Sequence, residues 1–167
     1  MRVSKRMGVG YEWEFKRIIE HTDENILVWH IGGTTPGWDN LIVSKNVRIE
    51  HWNKFIPIEC KSFTQIRRNY KEQVIEQFNR YMDIYNKWNV LTFYALRYKR
   101  KGDKTDLVDR WRVIPCTEVI KETGNKGGVY IDYNWAEAMP LKRFIRAIFK
   151  KPTKADIKSW PWIKLFG

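Results

Sequence analysis

The sequence predicts an α/β fold, with a central mixed β-sheet flanked by helices. Three observations carry this: two amphipathic helical stretches, several short apolar runs bounded by turn residues, and their order of helix, three strands, helix and two strands. In the first helix Tyr11, Phe15, Ile18 and Ile19 recur at helical spacing after Gly8-Val9-Gly10. Ile26 to Ile31 is an apolar run ended by Gly32-Gly33, a strand and then a turn. Leu41-Ile42-Val43 with Asn46 to Glu50 suggests a second strand or a hairpin, and Phe55 to Cys60 a third. Pro57 lacks an amide donor and so marks the start of that third strand as an edge or a bulge.

Tyr70 to Trp88 carries Val74, Ile75, Phe78, Tyr81, Met82, Ile84 and Tyr85 at spacings of three and four, a long amphipathic helix. Val90 to Tyr98 is the strongest strand signal, and Trp111 to Pro115 returns beside it after the polar turn Lys99 to Asp103. Thr117 to Glu122 reads as a helical turn and Gly127 to Tyr133 as a short strand. Leu141, Phe144, Ile145 and Ile148 form one face of a helix. The expected organisation is a core over 1–115 and a basic, Trp-containing extension over 116–167, docked on that core or on a second subunit.

The 167 residues suit one body with a full hydrophobic core, and no apolar stretch approaches the roughly 20 residues needed to cross a bilayer. The basic start is not followed by an apolar core, so no secretory signal is expected and the chain is placed in the cytoplasm, the host's if a virus encodes it. Cys60 and Cys116 are too few for a disulfide scaffold and have no zinc-like spacing. Against 19 acidic residues stand 31 basic ones, a net charge of +12 that favours a polyanionic partner. From Leu141 onward eight basic residues face Asp156 alone, which puts over half of that charge in the tail. Nine Trp, eight Tyr and eight Phe, many beside basic residues, add possible stacking surfaces for bases.

The chemistry centres on Ile58-Glu59-Cys60-Lys61. An acid two residues before a lysine occurs three times, close to the roughly two occurrences that chance supplies. Glu14/Lys16 lies on a helix, where such positions diverge, and Asp156/Lys158 lies in the tail. Only Glu59 and Lys61 end a strand, where they share a face and Cys60 takes the other. Two carboxylates, Asp39 and Glu59, with the main-chain carbonyl of Cys60, suffice to hold Mg²⁺, with Glu12 completing the acidic cluster. Such a metal activates water, while Lys61 orients that water and offsets charge on the phosphorane. Thr34 or Thr35 could reach a phosphate from the Gly-rich turn.

Gly10-Tyr11-Glu12 leading into a helix, Gly32-Gly33-Thr34, Asp39, Ile58-Glu59-Cys60-Lys61 and Glu76-Gln77 together resemble the PD-(D/E)xK nuclease superfamily, and within it the archaeal-type Holliday junction resolvases. The resemblance spans about Gly8 to Arg97. It implies a restriction-endonuclease-like core in which Glu12, Asp39 and Glu59 gather around Mg²⁺, replaceable by Mn²⁺, and Lys61 is catalytic. Thr34 and Gln77 match supporting positions less closely, and Pro36-Gly37-Trp38-Asp39 departs from the usual Pro-Asp pair. It further implies a homodimer that resolves four-way DNA junctions by paired symmetric nicks, reading shape and phosphates rather than sequence. Arg2, Lys5, Arg6 and the loop carrying Phe63, Arg67 and Arg68 are the candidate DNA contacts, with Phe63 a wedge beside unstacked bases.

Simpler roles exist for each residue: Glu12 at a helix start, with Glu14 as the alternative acid, Asp39 in an Asx-type turn, and Glu59/Lys61 as a surface ion pair. His21, His30 and His51 share no metal-like spacing and read as structural or surface residues. The alternative functions are another nuclease of the superfamily acting on duplex, flap or single-stranded DNA, and a non-catalytic DNA-binding module.

Overall fold

The computed structural model describes residues 2–22, 24, 26–31, 37–44, 55–100, 102 and 104–166, without the side chains of 2–9, 44, 165 and 166. Helix α1 spans Arg2–Glu20, followed by strands β1 (Ile26–His30), β2 (Asn40–Ser44) and β3 (Phe55–Phe63). Helix α2 (Glu72–Trp88) crosses over to β4 (Phe93–Tyr98), and β5 (Trp111–Pro115) returns. Then come β6 (Ile120–Thr123), β7 (Val129–Asp132), β8 (Met139–Pro140), α3 (Leu141–Phe149) and α4 (Lys154–Ser159).

Six strands form the central sheet in the order β1-β2-β3-β4-β5-β8. The pair β3–β4 is parallel, from Ile58 opposite Phe93 to Phe63 opposite Tyr98, and the other neighbours run antiparallel. A parallel pair needs a crossover connection, which α2 supplies. Pro57 faces Leu41 of β2, one residue before β4 joins, so its missing amide falls where β3 has a single neighbour. Phe15 and Ile19 of α1 are buried with Val28, Ile42, Ile56 and Ile58, and the Phe15 ring meets Trp111 at 5.2 Å.

Two expectations change. Helix α1 starts at Arg2 and runs through Gly8 and Gly10, because a glycine costs a helix only about 1 kcal/mol and the buried face downstream anchors it. The helical turn expected over Thr117 to Glu122 is confined to Cys116–Glu118; Ile120–Thr123 is a strand paired with β7 in a separate two-stranded sheet. Asn46 to Glu50 lies outside the described residues.

Within 116–167, β8 extends the central sheet, and α3 buries Leu141, Phe144, Ile145, Ala147 and Ile148. Phe93 of the sheet contacts both Phe144 at 5.6 Å and Trp162 at 6.0 Å. A capping box between Thr153 and Asp156 starts α4, and Arg143 and Arg146 reach back to the buried Asp156. Among the described residues, no helix is long and apolar enough to cross a membrane.

Candidate active site

Strand β3 is the spine of the site. Glu59 is 4% exposed, and burying its charge would cost several kcal/mol without partners. Three donors meet it: Lys61 Nζ and Gln77 Nε2 at Oε1, and the Tyr81 hydroxyl at Oε2, each at 2.7 Å. Gln77 and Tyr81 are four residues apart on α2 and so share the helix face turned to the strand. Cys60 points the other way, buried, with Asn40 Nδ2 3.6 Å from its sulfur.

Asp39 is fixed at the entry to β2. Its amide donates to the Ile58 carbonyl at 3.0 Å, and its own carbonyl accepts from Ile31 N at 2.9 Å. Trp38 Nε1 bonds Thr92 Oγ1 at 2.8 Å, pinning the preceding residue to the approach to β4. Pairing of β2 with β3 stops at Ile58, and Asp39 Oδ2 takes up the next outward amide, Cys60 N, at 2.7 Å. A strand residue presents its amide and carbonyl to the same side, so the Cys60 carbonyl faces the edge that Asp39 occupies.

The electrostatics show an excess of negative charge. Burial, then Glu59 and Glu12, push the Asp39 carboxyl up to about 8, against the opposing pull of the Cys60 amide and Lys61. Burial disfavours the Lys61 ammonium, yet Glu59, Tyr133 and Asp39 together hold its pKa above the ordinary lysine value. Tyr11 is pushed up to about 12, chiefly by burial, with Lys61 opposing and Asp39 and Glu12 adding. One oxygen of Asp39, the Cys60 carbonyl and Glu59 form a hard-oxygen donor set next to under-compensated charge, which fits a hard divalent cation. Among the described residues no three His, Cys, Asp or Glu side chains cage an ion by themselves, so the remaining ligands would be the carbonyl and water.

Glu12 lies close enough to raise Asp39, but its Oε2 is 2.9 Å from His30 Nε2, and His30 stacks on Trp13 at 4.5 Å. Glu14 is taken up elsewhere: Arg97 donates to it through Nε at 2.7 Å and Nη2 at 3.2 Å, and Trp111 Nε1 at 2.8 Å. Thr34 and Thr35 lie outside the described residues, as do the side chains of Arg2, Lys5 and Arg6, whose backbone opens α1.

Phe63, expected at the start of a loop, is the last residue of β3. Parallel pairing with Tyr98 extends the strand to it, and its ring packs against Tyr98 at 6.0 Å and Trp135 at 5.9 Å. In the following loop Ile66 is an exposed aliphatic residue, at 47%, beside the exposed Arg67 and Arg68. Arg68 lies over the Tyr130 ring at 4.5 Å. Sequence reasoning missed His30 and Tyr81 as site neighbours. The i, i+4 relation to Gln77 was a signal for Tyr81; nothing local in the sequence pairs His30 with Glu12.

Among solved structures the chain is similar to Hjc, a Holliday junction resolvase from the archaeal hyperthermophile Archaeoglobus fulgidus. The match has a TM-score of 0.54 and covers 83% of this chain and 95% of that one, at 12% sequence identity. No protein-family model matches the chain, and no curated protein matches it either. What the likeness establishes is the fold, a six-stranded mixed sheet flanked by helices of the kind seen in that nuclease.

Proposed function

We propose that the chain is a metal-dependent endodeoxyribonuclease that resolves four-way DNA junctions by paired symmetric nicks. The observation that carries this reading is the meeting of Asp39, Glu59, Cys60 and Lys61 at the edge where β2 stops and β3 continues. The fold likeness to a junction resolvase supports the nuclease class, and the net charge of +12 supports a DNA substrate.

In this reading Asp39, Glu59 and the Cys60 carbonyl hold Mg²⁺, or Mn²⁺ in its place, and Glu12 adds negative charge beside them. A cation held by these residues would supply Lewis-acid polarisation of the scissile phosphate and a more acidic water. Lys61 hydrogen-bonds the attacking water and offsets charge as the phosphorane forms, its ammonium kept charged by Glu59. Gln77 and Tyr81 fix the Glu59 carboxylate, so no reorganisation is needed during reaction. Ile66, flanked by Arg67 and Arg68, takes the wedge position at the branch.

Two opposed nicks require two sites related by a two-fold axis, hence a homodimer. Leu27, Trp29 and Ile31 alternate along the edge strand and its end, all exposed, and supply an apolar face for the partner. Solution mass should be twice the chain's 20.2 kDa. The decisive experiment compares cleavage of labelled four-way junction, linear duplex and flap by wild type and Lys61→Ala, with Mg²⁺ or EDTA. Junction-selective, Mg²⁺-dependent nicks on opposed strands, lost in Lys61→Ala, are expected. Equal cutting of duplex would move the substrate to another DNA form, and binding without product would leave a DNA-binding module.

A further inference from the structure

Next to Lys61 a cleft of about 1370 Å³ opens between the segment linking β3 to α2, the Gly10–Glu14 stretch of α1 and the segment that follows β7. Its walls carry Arg67, Arg68, Lys71 and Lys99, all exposed, and the aromatic rings of Tyr70 and Trp135. The two acids that line it are engaged: Glu14 by Arg97 and Trp111, and Asp132 by the Asn134 amide at 2.8 Å. A cation-rimmed, aromatic-walled groove is the form that single-stranded nucleic acid requires, phosphates on the rim and bases on the rings.

The cleft is held in shape by main-chain bonds. Asn69 and Ile131 exchange amide-to-carbonyl bonds of 2.8 Å in both directions, stitching the linking segment to β7. Lys121 Nζ ties the hairpin to Asn79 of α2 at 2.7 Å. Tyr70 is 53% exposed, and its inner side rests on two glycines. A Cβ at Gly124 would stand 3.1 Å from the Tyr70 hydroxyl oxygen, and one at Gly128 3.3 Å from its Cδ1. The glycines therefore let the ring seat on the hairpin with its other face outward, while Tyr130 supports it at 5.5 Å.

We infer that this cleft binds a short unpaired DNA segment leading away from the scissile phosphate, with Tyr70 stacking on a base and Arg68 and Lys71 contacting phosphates. The inference deepens the nuclease reading and rests on it for the phosphate at Lys61. It makes the favoured form of the four-way junction one opened at its crossover, with a few nucleotides unpaired there, and it gives the β6–β7 hairpin the role of backing Tyr70.

The test is binding without turnover, by fluorescence anisotropy of labelled dT12 and of a labelled 20-base-pair duplex in EDTA. Tyr70→Ala should weaken dT12 binding about tenfold, within the range for loss of one stacked base, and leave duplex binding within twofold. Tyr70→Trp should restore it, and Arg68→Ala/Lys71→Ala should lower the salt dependence of dT12 binding. Unchanged dT12 affinity in Tyr70→Ala, or an equal loss on duplex, would overturn the subsite. Because no cleavage is read, these outcomes stand apart from junction nicking by wild type, whose absence would instead remove the nuclease reading.

Discussion

Two acid-centred clusters, one around Glu14 of α1 and one around Asp39 at the entry to β2, are built in opposite ways. Glu14 receives a two-point Arg97 contact and the Trp111 indole, so each charge is answered within the fold. Asp39 has one amide as partner and two further carboxylates as neighbours, with Lys61 committed to Glu59. The first arrangement holds elements together as a partly buried pair whose charges and donors are matched. The second stores an imbalance that a cation would relieve, and such perturbed groups cluster at functional sites.

Substitution should separate the two. Asp39→Asn or Lys61→Ala should reduce junction cleavage on the order of 10³-fold while retaining DNA binding in an electrophoretic shift. Glu14→Gln should do the reverse: cleavage at moderate temperature within a fewfold of wild type, and a loss of about 2–4 kcal/mol in urea unfolding. A cleavage loss in Glu14→Gln matching that of Asp39→Asn would erase the distinction.

The contrast should also appear against pH. Burial raises the folded Asp39 carboxyl from 3.8 to about 8, so the protonated form favours folding. That contribution is fully present below the unfolded pKa and is lost as pH rises through about 8. In EDTA, wild-type stability should therefore fall between pH 4 and 8, and Asp39→Asn should flatten the slope. At pH 8 the variant should be the more stable of the two, because it has no buried carboxylate to ionise. A parallel pH profile for the two proteins would remove the imbalance.

The smallest expected effect lies in the supports. Tyr81→Phe removes one of three donors to Glu59, and cleavage should drop about fivefold, matching a net hydrogen bond of about 1 kcal/mol. No change in Tyr81→Phe would leave Lys61 and Gln77 as the groups that fix the carboxylate.

The mixed α/β architecture follows from features legible in the chain: short apolar runs, a long amphipathic helix between two of them, and a proline placed where β3 has one neighbour. The shared face of Glu59 and Lys61 was likewise readable, since strand alternation leaves no other arrangement. What local pattern could not reveal is long-range pairing. His30 meets Glu12 across 18 residues, Trp111 meets Glu14 across 97, and Asn69 bonds Ile131 only because β6 and β7 form their own sheet. Phe63 falls in the strand rather than the loop for the same reason: whether a strand ends at Cys60 or three residues later depends on how far its neighbour, β4, extends.

The early end of β2 has one more consequence. Past Ile58, β3 has β4 as its one strand neighbour among the described residues, and open edges invite pairing with strands of other chains. Asp39 guards that edge, occupying the Cys60 amide with a charged group that an incoming strand would have to displace. Under the proposed function, replacing it with alanine would remove a metal-binding carboxylate and also free a template for self-association, which ties activity and solubility to one residue.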